Sequence, residues 1–230
     1  MTNEMDTANP GVFGPRFGIL FVVLTLTVAA APVLPARPVF VEMVRVFVTV
    51  TLLVGLFTLS RHRRVFGVGI VLSAAAAVLN WFPVAPVRLW GFLASAGFLV
   101  LVASVILRTV LAHSRVTSNT IYGAICVYLL LGLVFAFGFS FLYGVDAHTL
   151  RMATNPQSTT LPVERQFSTM LYFSFVTLTT VGYGDVTPVS AVARSLALLE
   201  AVLGQLYLVV LIARLVGLQI AHEISSSARR

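Results

Sequence analysis

The chain has 230 residues, of which 58% are hydrophobic and only 10% are charged. This balance excludes a soluble globular domain and predicts an integral membrane protein. The formal net charge of +7 comes from arginine alone, because the sequence contains no lysine, and the arginines stand mostly at the ends of apolar runs. We therefore interpret them as signals of membrane topology and not as a nucleic-acid-binding surface.

Long apolar runs predict six membrane-spanning helices, since about 20 apolar residues are needed to cross a bilayer. The predicted spans are 17–35, 39–59, 65–82, 87–111, 119–143 and 190–222. The first four spans form a predicted four-helix domain, residues 17–115. A polar tail, residues 1–16, precedes this domain, and a short tail, residues 223–230, follows the last span.

Arginine counts in the short loops predict the orientation of the spans. The loops 61–64 and 108–118 contain three and two arginines, whereas the short loops on the opposite side contain only Arg37 and Arg88. Short loops rich in arginine stay in the cytoplasm. We therefore expect a multi-pass protein of the cell membrane with both termini in the cytoplasm. We also expect a bacterial source.

Charged residues inside the predicted spans are functional candidates, because a charge in the bilayer is costly. Glu42 and Arg45 lie near the outer end of the second span, share a helix face and can pair. The alternative is an interfacial pair whose charged ends reach the membrane surface. The fourth span has only Arg88 and Arg108, at its two ends. A voltage sensor needs several arginines on one helix, so we predict a weak response to voltage.

The TTVGYGD segment, residues 179–185, is the most informative motif of the chain. A run T-V-G-Y-G lets four chains replace the hydration shell of a potassium ion with oxygens. Such a run needs dihedral angles of alternating hand, and Gly182 and Gly184 tolerate positive φ values. A turn formed by chance is the alternative, but the segment stands between two long apolar runs. The predicted ion-binding residues are Thr180, Val181, Gly182, Tyr183 and Gly184, with the carbonyls of the first four and the Thr180 hydroxyl as the K⁺ ligands.

The residues before the TTVGYGD segment fit this interpretation. Residues 144–166 are rich in polar side chains and predict an exposed loop, the turret. Residues 167–178 predict a short helix whose C-terminal end, the negative end of its dipole, would point at a cation. Tyr172 and Phe173 on this helix would form an aromatic cuff behind the segment.

Residues 119–222 resemble the pore module of tetrameric potassium channels on the strength of this motif and of Gly204, which stands where such channels often have a hinge. The resemblance implies an all-α membrane protein of six spans, with a re-entrant pore helix at 167–178, a selectivity filter at 179–185 and an inner helix. It implies a homotetramer in the lipid bilayer that conducts K⁺ passively. The residues expected to support the filter are Thr179, Asp185, Tyr172, Phe173 and Val176.

One position departs from many of these channels. Val176 stands where they carry a glutamate behind the filter, so a carboxyl pair with Asp185 is absent. We also expect no enzymatic activity, no cofactor and no nucleotide or nucleic-acid partner, since the sequence shows no metal-binding cluster, nucleotide loop or catalytic constellation. K⁺ is then the transported ion.

The last predicted span contains the remaining candidates. Gly204 predicts either a bend or close packing against the pore helix. The resemblance to these channels implies that Gln205 faces a water-filled cavity. Glu200, one turn before Gly204, could bond to a hydroxyl such as that of Thr177, in a structural or a gating role. Four apolar residues at helical spacing could close the inner mouth by dewetting, or could be ordinary packing residues. They are Leu208, Ile212, Val216 and Ile220.

Two other functions remain open from the sequence. The chain could be a weakly selective cation leak channel, or a non-conducting, regulatory membrane subunit. A potassium-flux assay on purified protein in vesicles discriminates between them. Proton, tension, lipid and constitutive opening are all compatible with the sequence.

Overall fold

The structure is a computed structural model that describes residues 16–33, 46, 49–54, 57, 63–81, 85–112, 118–153, 161 and 163–227. Glu42 and Arg45, most of the second predicted span and nearly all of the N-terminal tail lie outside the described residues. Their predicted roles therefore stay predictions.

The described residues are mostly helical, as the sequence predicts. Apolar runs without an internal break form long helices because every backbone polar group is then bonded within its own segment. The helices are α1 (Arg16–Val33), α2 (Arg63–Trp81), α3 (Ala85–Ala112), α4 (Ser118–Val145), α5 (Val163–Leu178) and α6 (Ala191–Ser227).

Three helices in the described part of the chain are long and apolar enough to cross a membrane. These segments are Pro86–Ala112, Asn119–Val145 and Ala191–Leu218, which match the fourth, fifth and sixth predicted spans. The first and third predicted spans contain shorter apolar helices, Phe17–Ala30 and Phe66–Asn80. The protein is thus a helical membrane protein, and the count of six spans stays a prediction.

Helix α4 is the central element of the described residues, since it packs against α1, α3, α5 and α6. In an apolar 18-residue stretch of α4, 56% of the residues are buried, compared with 11% in such a stretch of α6. Leu130 and Phe139 of α4 are fully buried. Cys126, also of α4, is buried with its thiol 3.6 Å from the Phe17 carbonyl oxygen of α1. The helix that precedes the turret is therefore the scaffold on which α5 and α6 are placed.

The predicted turret contains regular structure that the sequence did not reveal. A 3₁₀ turn, Ala147–Thr149, leads into β1 (Leu150–Met152), which pairs antiparallel with β2 (Val186–Pro188). Helix α5 begins at Val163 and not at residue 167, so its first turn was wrongly assigned to the turret. Strand β2 directly follows the TTVGYGD segment, and Ala153 N donates to the Asp185 carbonyl at 2.8 Å. The expectation of a purely α-helical fold is therefore corrected by one short sheet. This sheet holds the C-terminal end of the segment in place.

Candidate functional site

Helix α5 is anchored at its first turns by a buried glutamine. The Gln166 Nε2 donates to the Ser140 carbonyl of α4 at 2.9 Å, and the Gln166 Oε1 accepts from an Arg88 guanidinium N–H of α3 at 3.3 Å. A buried amide is stable only with such partners. Helix α3 thus contacts the start of α5 directly.

Aromatic pairs hold the body of α5 against α4. The ring centroids of Phe137 and Phe167 lie 4.8 Å apart, and those of Phe139 and Phe173 lie 4.8 Å apart in an edge-to-face arrangement. Phe173 is buried in this cluster. Phe173 thus packs against α4, and its predicted place in a cuff behind the TTVGYGD segment stays a prediction.

The chain reverses direction over the C-terminal end of α5. Thr180 N donates to the Thr177 carbonyl at 2.9 Å, and Val181 N and Gly182 N both approach the Val176 carbonyl, at 2.9 and 3.3 Å. Val176 therefore supports the segment through its backbone oxygen. Thr179 closes the helix end, since its hydroxyl donates to the Phe175 carbonyl at 2.6 Å.

The φ angles of the TTVGYGD segment alternate in sign from Thr180 to Gly184. Thr180, Gly182 and Gly184 have φ values of 58°, 59° and 78°, whereas Val181 and Tyr183 have negative φ. The positive φ predicted for the two glycines is confirmed. Thr180 is the one non-glycine residue with positive φ in the described part of the chain. This conformation costs an L-residue about 1–2 kcal/mol, and a threonine does not by itself indicate it.

Four consecutive carbonyl oxygens of this segment, those of Thr180 to Tyr183, accept no hydrogen bond from the described residues. Backbone carbonyls of folded proteins are almost always paired, so four consecutive free acceptors are unusual. Such a row of oxygens is suited to a partly dehydrated cation.

Tyr172 and Asp185 connect α5 to the exit of the segment. The Tyr172 hydroxyl donates to Asp185 Oδ2 at 2.8 Å, and Asp185 Oδ1 accepts from Val186 N at 3.0 Å. The hydrogen bond to the carboxylate raises the pKa of the Tyr172 phenol. An apolar pocket beside this contact is lined by Tyr172, Val176, Val181 and Tyr183, so the side chains of the segment lie on the α5 side.

Gly204 packs tightly against the end of α5. A Cβ on Gly204 would lie 2.8 Å from the Leu178 carbonyl oxygen and 2.7 Å from Leu178 Cδ1. The same carbonyl accepts from the Tyr128 hydroxyl of α4 at 3.4 Å. Helix α6 continues through Gly204 from Ala191 to Ser227. Of the two alternatives for this glycine, the geometry favours close packing.

Gln205 of α6 lies next to Thr180, near the start of the segment. Its Nε2 is 3.4 Å from the Thr180 hydroxyl oxygen, and its side chain is exposed in the single chain. Of the predicted gate residues, Leu208 is half-buried, whereas Ile212, Val216 and Ile220 are exposed by 60%, 52% and 51%. The last three side chains are thus only partly covered by the described residues, and the role of all four as a gate stays a prediction.

Glu200 is fully buried beside α5. Its Oε1 lies 2.5 Å from Ser174 Oγ, and no Thr177 contact is formed. The suggested hydroxyl partner was therefore wrong by one helical turn. Ser174 and the tyrosine pair Tyr128–Tyr207, which stacks at 6.1 Å, were not identified from the sequence.

Comparison with known families supports the interpretation of this region. Residues 125–218, from α4 to α6, match a family model described as ion channel. No curated protein matches the chain. The match supports an ion channel over these residues, and the apolar helices support a membrane location.

Proposed function

We propose that the chain is one subunit of a homotetrameric, potassium-selective channel that conducts K⁺ passively across a cell membrane. The observation that carries this proposal is the row of carbonyls at Thr180–Tyr183, which accept no hydrogen bond from the described residues and lie on a backbone whose φ angles alternate in sign. The proposed K⁺ sites are formed by these carbonyls and by the Thr180 hydroxyl.

Four copies are required because one segment contributes only one set of oxygens to each ion. Rings of four carbonyls replace the hydration shell when four chains surround one axis. The single chain leaves apolar surface for such neighbours: Tyr183 is 72% exposed, Val181 is 51% exposed, and only 11% of the α6 span is buried. Large apolar surfaces of this kind are covered in the assembled protein by copies or by lipid.

Selectivity is attributed to the fixed geometry of the segment. The end of α5, the Tyr172–Asp185 hydrogen bond and the β1–β2 sheet hold its entry and exit. A rigid row of oxygens matches one ionic radius better than another, and the number and field of the carbonyl dipoles add to the discrimination. The attribution to potassium rests on the TTVGYGD motif.

Reversal potentials of the purified protein in bilayers with unequal K⁺ and Na⁺ test the proposal. We expect the potential to follow the K⁺ gradient. Gly182→Ala should abolish this selective current, because φ is +59° there while a Cβ would meet no atom within 4 Å. The substitution therefore tests the dihedral angle without a clash.

Two outcomes contradict the proposal. Equal permeability to K⁺ and Na⁺ would favour the weakly selective leak channel. Absence of any flux from a well-formed tetramer would favour the non-conducting subunit. Gly217→Ala is the matched control, since a Cβ there also meets no atom within 4 Å and the residue lies far from the segment on α6.

A further inference from the structure

A buried carboxyl group joins three helices next to the proposed conduction site. Glu200 of α6 and Ser174 of α5 are both fully buried. Ser174 Oγ lies 2.5 Å from Glu200 Oε1 and 2.7 Å from the Gly132 carbonyl oxygen of α4. Glu200 Oε2 is buried without a hydrogen-bond partner among the described residues. One serine hydroxyl therefore links α4, α5 and α6.

The number of protons in this cluster decides the charge of Glu200. A serine hydroxyl has one proton and a backbone carbonyl has none. Both contacts of Ser174 Oγ have the length of a full O–H···O hydrogen bond, so a second proton is needed, and only the carboxyl group can supply it. A carboxylate would leave one contact without a proton and Oε2 unpaired, and burying that charge is far more costly than burying the neutral acid.

The surroundings offer the charged form no compensation. Among the residues that the structure describes, no arginine or histidine is bonded to Glu200. The titratable group that faces it from α4 is Tyr128, whose hydroxyl proton is donated to the Leu178 carbonyl. Tyr207 of α6 stacks on Tyr128 and donates to the Ala124 carbonyl at 2.6 Å. From α5 the facing side chain is Ser174, which does not titrate.

We propose that Glu200 is a proton-binding site that positions α5 for conduction. The neutral carboxyl group donates from Oε1 to Ser174 Oγ, and Ser174 donates to the Gly132 carbonyl, so the proton keeps α5 attached to both α4 and α6. This proposal rests on the proposed channel function.

Loss of the proton to solvent breaks one of these links. Ser174 then turns its single proton to the carboxylate, and the hydrogen bond to Gly132 is lost. The Val176 carbonyl, two residues further along α5, accepts from Val181 N and Gly182 N of the TTVGYGD segment. A shift of α5 therefore reaches the ion-binding oxygens directly, and conduction falls as the pH rises.

Potassium flux into vesicles, measured from neutral to strongly alkaline pH, tests this inference on the full-length tetramer. Wild-type flux should fall by at least about tenfold across a transition in which one group per subunit loses its proton. Glu200→Gln should conduct at every pH with a change below about twofold, because the amide N–H₂ still donates to Ser174 and has no proton to lose. Tyr128→Phe is the matched control: it retains Glu200 and should keep the wild-type pH profile. The same profile in wild type and Glu200→Gln, or a flat profile in a wild-type protein that conducts, overturns the inference.

Infrared difference spectra between wild type and Glu200→Gln at neutral pH give a readout that needs no conduction. We expect the C=O stretch of a protonated carboxyl group in wild type and its absence in the variant. If the band is present and neither protein conducts, the channel function fails and the proton site stands. If the protein conducts K⁺ and the band is absent, the proton site fails alone.

Discussion

Replacement of Gly204 by alanine distinguishes between the two predicted roles of this glycine, a bend in α6 and close packing against α5. Alanine favours a helix over glycine by about 1 kcal/mol. At this position, however, the Cβ would lie 2.8 Å from a backbone oxygen, whereas ordinary contact begins at 3.4 Å. Overpacking costs about 1–3 kcal/mol, and the upper half of that range applies because the Leu178 carbonyl belongs to the end of α5 and cannot rotate away. We therefore expect a net loss of about 1–2 kcal/mol per subunit.

Thermal unfolding of the tetramer in detergent, followed by circular dichroism and size-exclusion chromatography, measures this loss. Gly217→Ala is the control on the same helix, with no atom within 4 Å of the added Cβ, and should be at least as stable as the wild type. Single-channel recording of the surviving Gly204→Ala tetramers should show an unchanged open probability. Equal stability of the two variants, or a fall in open probability without a loss of stability, would refute close packing and support a bend.

Three further predictions address the exit of the TTVGYGD segment, voltage and the inner gate. Tyr172→Phe removes the hydrogen bond to Asp185 and should shorten conducting bursts without changing the K⁺ preference; unchanged bursts would mean that this contact does not hold the exit. Gating-charge measurements should give far less than one elementary charge per subunit, since the fourth predicted span has no arginine ladder. In a Cys126→Ala background, thiol reagents added from the cytoplasm should reach a cysteine at Ile220 in closed channels but one at Ile212 only in open channels. Equal reactivity at Ile212 in both states would place the control of conduction elsewhere.

The helices near the site illustrate how far the sequence could be interpreted without a structure. Long apolar runs predicted α3, α4 and α6, because composition alone decides whether a segment can lie in lipid. The positive φ of Gly182 and Gly184 followed from the lack of a Cβ, which is a local property of each residue.

Contacts between elements could not be predicted in the same way. Phe173 and Tyr172 are neighbours in sequence, yet one packs on Phe139 and the other bonds to Asp185. The rotation of α5 about its own axis decides this difference, and that rotation depends on how α4 and α6 pack around it. The pairing of β1 with β2 joins segments on either side of α5, so no local pattern indicates it.

Adjacent residues alone were enough to predict the membrane class, the positions of the long helices and the candidate K⁺ ligands. Contacts between helices, in contrast, place Gly204 against Leu178 and Glu200 against Ser174, and Thr180 shares the positive φ of the glycines. Packing selects which faces of α4, α5 and α6 meet, and a strained dihedral angle persists only where the surrounding contacts stabilise it.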